Sequence, residues 1–126
     1  MFAREEIARD TSVFWFEKPA DFTFRAGQYT VLRLPNLSEP DPQGPVRSLS
    51  ICSAPHEERL GFALRNTQSP FKKALWAMQP GEEASITPVI GKFVLEATET
   101  RPLVFIVGGI GITPVRSILK EANPYR

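Results

Sequence analysis

The stretch "VRSLSICSAP", Val46 to Pro55, decides how the chain is read. Val46, Ser48, Ser50 and Cys52 alternate with Arg47, Leu49, Ile51 and Ser53. A period of two sends successive side chains to opposite faces, as in a β-strand. Stretches on both sides follow the same grammar. "SVFWFEKP" (12–19) is aromatic and stops at a proline, and "GQYTVLRLP" (27–35) alternates after its glycine. "RLGFALRN" (59–66) and "EASITPVI" (83–90) behave similarly. Short strands separated by turn residues predict an antiparallel barrel or sandwich. "PNLSEPDPQGP" (35–45) has four prolines and no apolar period, and is expected to be an exposed connection between two strands.

One helix interrupts the strands. In "SPFKKALWAMQPG" (69–81), Phe71, Ala74, Leu75 and Met78 form one apolar face. Ser69 suits the N-cap and Pro70 the first helical position, and Pro80-Gly81 ends the pattern. Lys72 and Lys73 lie off the apolar face and are expected to face solvent.

Near Thr100 the character changes. "RPLVFIV" (101–107) is a continuous apolar run, as expected of a strand buried on both faces of a parallel sheet. "TPVRSILKEA" (113–122) predicts a second helix, with Thr113 as cap, Pro114 as first residue, and Val115, Ile118, Leu119 and Ala122 on one face. Strand, glycine turn and helix open a βαβ unit. The boundary falls around residues 98–102, dividing the chain into 1–99 and 100–126.

Gly108, Gly109 and Gly111 lie between that strand and that helix. Glycine permits a left-handed backbone and close approach of a ligand, and a helix start favours a phosphate. No Gly-Lys-Ser/Thr follows, so this is not a P-loop. Pro114 stands where the third glycine of G-x-G-x-x-G would be. A phosphate site and a plain tight turn both fit this stretch. "RSLS" is equally two-sided: Arg47 could fork onto a phosphate and Ser50 bond a ring heteroatom, or Arg47 could pair with a surface carboxylate while the serines stay solvated. Ser69 could cap its helix only, or cap it and bind an anion together with Thr67, with Arg65 close by.

Composition excludes several classes. The chain has 126 residues, enough for one ordinary domain, and 42% of them are hydrophobic. Net charge is +1 and the isoelectric point ≈ 7.9, so no basic field points to nucleic acid. One cysteine, Cys52, cannot form an internal disulfide and is read as packing. A single histidine, His56, in a surface turn and that cysteine cannot cluster as zinc ligands, so no metal site is expected. No G-x-S-x-G elbow is present. Apolar runs fall far short of the about 18 residues of a membrane span. The charged start "MFAREEIARD" is unlike a signal peptide, and a cytoplasmic location is expected.

Taken in order, "GQY", "RSLSICSAP", "RNTQSPFKKAL", "GKFVL" and "GGIGITP" resemble the ferredoxin–NADP reductase family. The resemblance implies a mainly β fold. This is a six-stranded antiparallel Greek-key FAD-binding barrel (1–99) with one inner helix, followed by the first β-α of a Rossmann-like NAD(P)-binding domain (100–126). It implies FAD and NAD(P)H as cofactors. The family's Arg-x-aromatic-Ser falls on Arg47, Leu49 and Ser50. Arg47 would meet the flavin pyrophosphate, and Ser50 would sit near flavin N5 as the catalytic position. Ser48, Leu49 and Ser53 accompany them on that strand. The family's Gly-x-x-Ser falls on Asn66 to Ser69, with Arg65, Thr67 and Ser69 toward the pyrophosphate. Gly108, Gly109, Gly111 and Thr113 match the first nicotinamide-nucleotide loop. Leu49 stands where the family has an aromatic residue, and Asn66 where it has glycine.

By this resemblance the protein would be an FAD-dependent oxidoreductase that passes electrons from NAD(P)H through flavin N5 to a redox partner protein or small acceptor. After Val107 only 19 residues remain, fewer than one βαβ unit needs, so the nicotinamide site is expected to be incomplete. The apolar segment is expected to pack on the barrel or to be covered in a homodimer. Other readings are a non-catalytic flavin-binding or electron-transfer regulatory subunit, an interaction module, or a carrier of FMN or riboflavin.

Overall fold

The structure, a computed structural model, describes residues 1–125. The strands are β1 (Ala3–Ala8), β2 (Thr11–Glu17), β3 (Tyr29–Arg33), β4 (Val46–Ser50), β5 (Arg59–Arg65) and β6 (Ser85–Ile86). The helices are α1 (Pro70–Ala77) and α2 (Ile112–Ala122), the second preceded by a 3-10 turn over Gly109–Gly111. The strands form two antiparallel three-stranded sheets, β1-β2-β5 and β4-β3-β6.

The mainly β expectation holds, but the six strands do not close into one barrel. The ladder parts just after β4. Ile51 N–H still bonds Gln28 O at 3.1 Å, on the β3 side, whereas Cys52 N–H bonds Gly61 O at 2.9 Å, on β5. The chain thus passes from one sheet to the other between adjacent residues. The short β6 covers only two positions of β3. β1, which carries no apolar alternation, pairs with β2 as an exposed edge strand whose Arg4, Glu5 and Glu6 face water.

Both sheets and α1 share one core. Phe14 and Phe16 from β2, Leu32 from β3, Leu60, Phe62 and Leu64 from β5, and Phe71 and Leu75 from α1 are all buried in it. Each such side chain contributes roughly 1.5–3 kcal/mol on burial. Ala74 and Met78 pack partly against the cluster, so the apolar face expected for α1 is the face it buries. Gly27, with φ +102, is pinned by close approach: a Cβ there would stand 1.8 Å from Phe93 O.

The C-terminal segment departs from expectation. Residues 102–107 form no strand, with Val104 87% and Ile106 95% exposed. An apolar run becomes a buried strand only where neighbours complete its ladder, and none of the named strands pairs with it. The following helix does pack on the rest of the chain, against residues 52–57. α2 buries Thr113, Val115, Ser117 and Ile118, while Leu119 is 54% exposed and Ala122 also faces water. The buried face is thus rotated toward Thr113 and Ser117. Thr113 is not the cap: Gly111 holds that position, and the Thr113 hydroxyl donates to Ile110 O at 3.0 Å. Among the described residues no helix is long and apolar enough to cross a membrane.

Candidate functional site

The start of α1 and the start of β4 meet at one place. Ser69 is the N-cap, extended at φ −64, ψ 154, with its hydroxyl accepting from Lys72 N–H at 3.3 Å. Pro70 follows without an N–H to satisfy, and the next amides have partners within the chain, Phe71 N–H on Asp41 Oδ2 at 3.0 Å and Lys73 N–H on Ser69 O at 2.8 Å. The residue that sets the approach is Gln68, left-handed at φ +65, with its N–H held by Asn66 Oδ1 at 3.0 Å. Asn66 itself does not have positive φ, so the left-handed residue of this turn falls two places later than the Asn66 comparison suggests.

Arg47 reaches this helix end from β4. Its guanidinium lies 4.7 Å from the centre of the Phe71 ring. Nη1 donates to Val46 O at 2.7 Å and to Gly44 O at 3.2 Å. Nη2 donates to Asp41 Oδ2 at 2.7 Å. Of the two roles open to Arg47, pairing with a carboxylate is the one seen, but that carboxylate is buried. The Asp41 side chain is 1% exposed and that of Arg47 15%. Asp41 Oδ2 also accepts Phe71 N–H at 3.0 Å, and Oδ1 accepts Gln43 N–H at 2.8 Å. The Phe71 amide bond lowers the Asp41 pKa; burial opposes it, and Gln43 and Arg47 reinforce it. The loop 35–45 is therefore a connection between strands, as expected, with the Asp41 side chain buried and Leu37 packed partly against the core.

Lys72 is the second cation here. It is half-buried, and its ammonium donates to Thr67 Oγ1 at 3.2 Å. Burial and then the charge of Arg47 lower its pKa. Of the two lysines expected to face solvent, only Lys73 does, paired with Glu39 at 3.1 Å. Together Asp41, Pro42, Gln43, Arg47, Thr67, Ser69 and Lys72 line a pocket of ≈ 390 Å³. Two cations, two hydroxyls and a helix N-terminus are the donor set that binds a phosphate or diphosphate. The residues present fit such a group.

β4 extends the site sideways, because it is an edge strand with β3 on one flank only. Leu34 N–H bonds Pro45 O and Ile51 N–H bonds Gln28 O. By the antiparallel alternation between these bonds, the backbone groups of Ser48 and Ser50 point away from β3. Ser48 is exposed and Ser50 half-buried. Leu49 packs partly against the core, and Ser53 is fully buried with its hydroxyl accepting Gly61 N–H at 3.0 Å. Arg65 is exposed at the end of β5, outside the pocket lining.

The glycine turn is a separate, exposed feature. Gly108 is extended at φ −134, and only Gly109, at φ +54, is left-handed. Gly111 N–H bonds Gly108 O at 3.0 Å. A Cβ at any of the three would meet nothing within 4 Å, so no packing inside the chain demands glycine there. None of them, nor Thr113, lines the pocket at α1.

The pocket residues that sequence reasoning missed are Asp41 and Lys72. Lys72 carried a usable signal, sitting three residues after the N-cap Ser69. Asp41 carried none, in a proline-rich loop without period. Cys52 is buried, and burial pushes its thiol up to about 11, which fits packing and not redox chemistry. No cluster of metal-ligating side chains occurs among the described residues. A larger groove of ≈ 1080 Å³ runs along Leu34, Lys73, Ala74, Ala77 and Met78, and contains none of the site residues named from sequence.

No family model matches the chain. It is 31% identical over 101 residues to reductase component 1 of terephthalate 1,2-dioxygenase from Comamonas sp., a match covering 78% of the chain and 28% of that protein. It is 35% identical over 112 residues to oxidoreductase NAD-binding domain-containing protein 1 of Homo sapiens, covering 81% of the chain and 33% of that protein. The chain thus spans about three tenths of the length of these relatives. In fold it is similar to a ferredoxin NADP+ reductase from Neisseria gonorrhoeae solved with bound FAD and NADP. The TM-score is 0.77 at 24% identity, covering 94% of this chain and 47% of that one.

Proposed function

We propose that this chain, which is similar to reductases of the ferredoxin–NADP reductase family, is the flavin-binding part of an oxidoreductase and that it binds FAD. The observation that carries this reading is the convergence of Arg47, Lys72, Ser69 and the α1 N-terminus on one pocket beside the free edge of β4. Arg47 and Lys72 would neutralise the two phosphates of FAD, and Ser69, Thr67 and the Phe71 amide would orient them. The outward backbone of Ser48 and Ser50 would receive the polar edge of the ring, with the Ser50 hydroxyl toward N5. A flavin supplies the means to take reducing equivalents from a nicotinamide and hand electrons onward. This chain's residues bind, orient and screen it.

The chain accounts for the flavin-side contacts. Gly108, Gly109, Gly111 and Thr113 fit the opening of a nicotinamide-nucleotide site, which the 100–126 segment would begin. By analogy with the reductase component named above, the electron acceptor would be a partner protein. The test is reconstitution. The purified chain is incubated with excess FAD, passed over a desalting column and read for flavin absorbance. One flavin per chain is expected; a colourless eluate at all FAD concentrations would reject the reading.

A further inference from the structure

We propose that Asp41 is a built-in competitor for the flavin phosphates, latching the loop 35–45 over the site until the cofactor displaces it. This rests on the flavin reading above, and it adds a step to that reading which neither the sequence motifs nor the relatives indicate. Arg47 Nη2 and Phe71 N–H are donors that a phosphate at this helix start would take, and both are bonded to Asp41 Oδ2, at 2.7 and 3.0 Å. The carboxylate is the buried partner here, at 1% exposure, and it comes from a connecting loop and not from a strand or helix. The loop is tied at its base by Leu34 N–H to Pro45 O. Beyond that base it is held by Asp41, by Arg47 Nη1 on Gly44 O, by Leu37 packed partly against the core, and by the exposed pair of Glu39 with Lys73, while the Gln43 and Gly44 amides on Asp41 close the loop on itself.

Charge makes the two occupants exclusive. Arg47 and Lys72 against Asp41 leave this pocket one net positive charge. A diphosphate brings two negative charges, and a carboxylate left beside it would repel it in a low-dielectric setting. Releasing Asp41 returns a buried anion to water and frees both donors. Without the latch, Arg47 would stand buried against Phe71 and the helix end with no counter-charge, a costly arrangement. Asp41 therefore stabilises the ligand-free protein and weakens cofactor binding by the same contacts.

The experiment titrates wild type and Asp41→Asn with FAD and, as a phosphate-free probe, riboflavin. In parallel, inorganic pyrophosphate is added to wild type while the amide resonances of Gln43 and Phe71 are followed. The expected results are FAD binding at least about tenfold tighter in Asp41→Asn, equal to one charge-assisted bond no longer contested. Riboflavin affinity should stay unchanged, and pyrophosphate should shift both amides in wild type as Asp41 leaves. Equal or weaker FAD binding by a folded Asp41→Asn overturns the latch and leaves the flavin reading standing. Uptake of FAD by neither protein overturns the flavin reading, and the pyrophosphate titration then decides the latch by itself. If Asp41→Asn does not fold, the same wild-type titration decides. A Phe71 shift with Gln43 unmoved means that Asp41 stays in place, and the latch is wrong.

Discussion

The Ser117 hydroxyl donates to Ser53 O at 2.7 Å, and both residues are completely buried. This bond joins the middle of α2 to the segment that leaves β4. Around it Arg116 donates to Cys52 O at 2.6 Å and to Glu57 at 3.1 Å, Lys120 pairs with Glu57 at 2.8 Å, and His56 Nδ1 lies 2.6 Å from Glu121. The helix is thereby keyed to the same turn that follows β4. Positions of β4 and of α2 are coupled through residues 52–57.

Removing the central bond should loosen this joint. Ser117→Ala removes the hydroxyl without adding volume and strands the Ser53 carbonyl, which costs about 1–3 kcal/mol for a buried acceptor left unpaired. Urea unfolding should show the midpoint moving down by the corresponding amount. An unchanged midpoint would mean that the helix is not part of the cooperative unit.

The same joint sets a pH dependence. Burial pushes the Glu57 carboxyl up, but hydrogen bonds from Arg116, Lys120 and the Ala54 amide outweigh it, holding the group at about 2 against an ordinary 4.5. A depressed carboxylate contributes stability that is present in full above pH 4.5 and disappears as pH falls toward 2. With partial exposure of its partners, the contribution is about 1–2 kcal/mol. Wild type should exceed Glu57→Gln in unfolding free energy at pH 7, and the gap should narrow below pH 4.5. A gap constant down to pH 3 would contradict the assignment.

Gln68 is left-handed at φ +65 without being glycine or asparagine. That conformation costs about 1–2 kcal/mol, partly offset in a glycine by unfolded-state entropy. Gln68→Gly is therefore expected to raise stability by roughly 0.5–1 kcal/mol. Thermal unfolding of the variant checks this, and a lowered midpoint would refute it.

Cys52 should be inert in the folded chain. With its thiol pushed up to about 11 by burial, it should react with a thiol reagent at pH 8 only as fast as the protein unfolds. Denaturant should raise the labelling rate by orders of magnitude. Rapid labelling of the native chain would point to an open path to the sheet junction.

Local pattern carried much of the architecture. Alternation marked β3, β4 and β5, strictly only in β4, and Ser69-Pro70 with Phe71 and Leu75 marked α1 down to its cap. The split into two sheets was not legible, because alternation continues through Ile51 and Cys52 while the hydrogen-bond partner changes between them. The apolar run at 102–107 gave the wrong expectation for a related reason: hydrophobicity states a preference for burial, and the partner strands decide whether it is met. At the site, Arg47 and Ser69 could be named from residue type and position. Asp41 could not, since only the folded loop brings it onto Arg47, six residues away, and Phe71, thirty residues away.

The measurement that tests the central claim most directly is the affinity of this chain for FAD against riboflavin, in wild type and in Lys72→Ala. If the pocket at α1 holds the flavin phosphates, wild type binds FAD far more tightly than riboflavin. Lys72→Ala should then lose roughly 10- to 100-fold toward FAD, the worth of a charged hydrogen bond, with riboflavin unaffected. Equal affinity for the two flavins, or an FAD affinity indifferent to Lys72, would contradict the account.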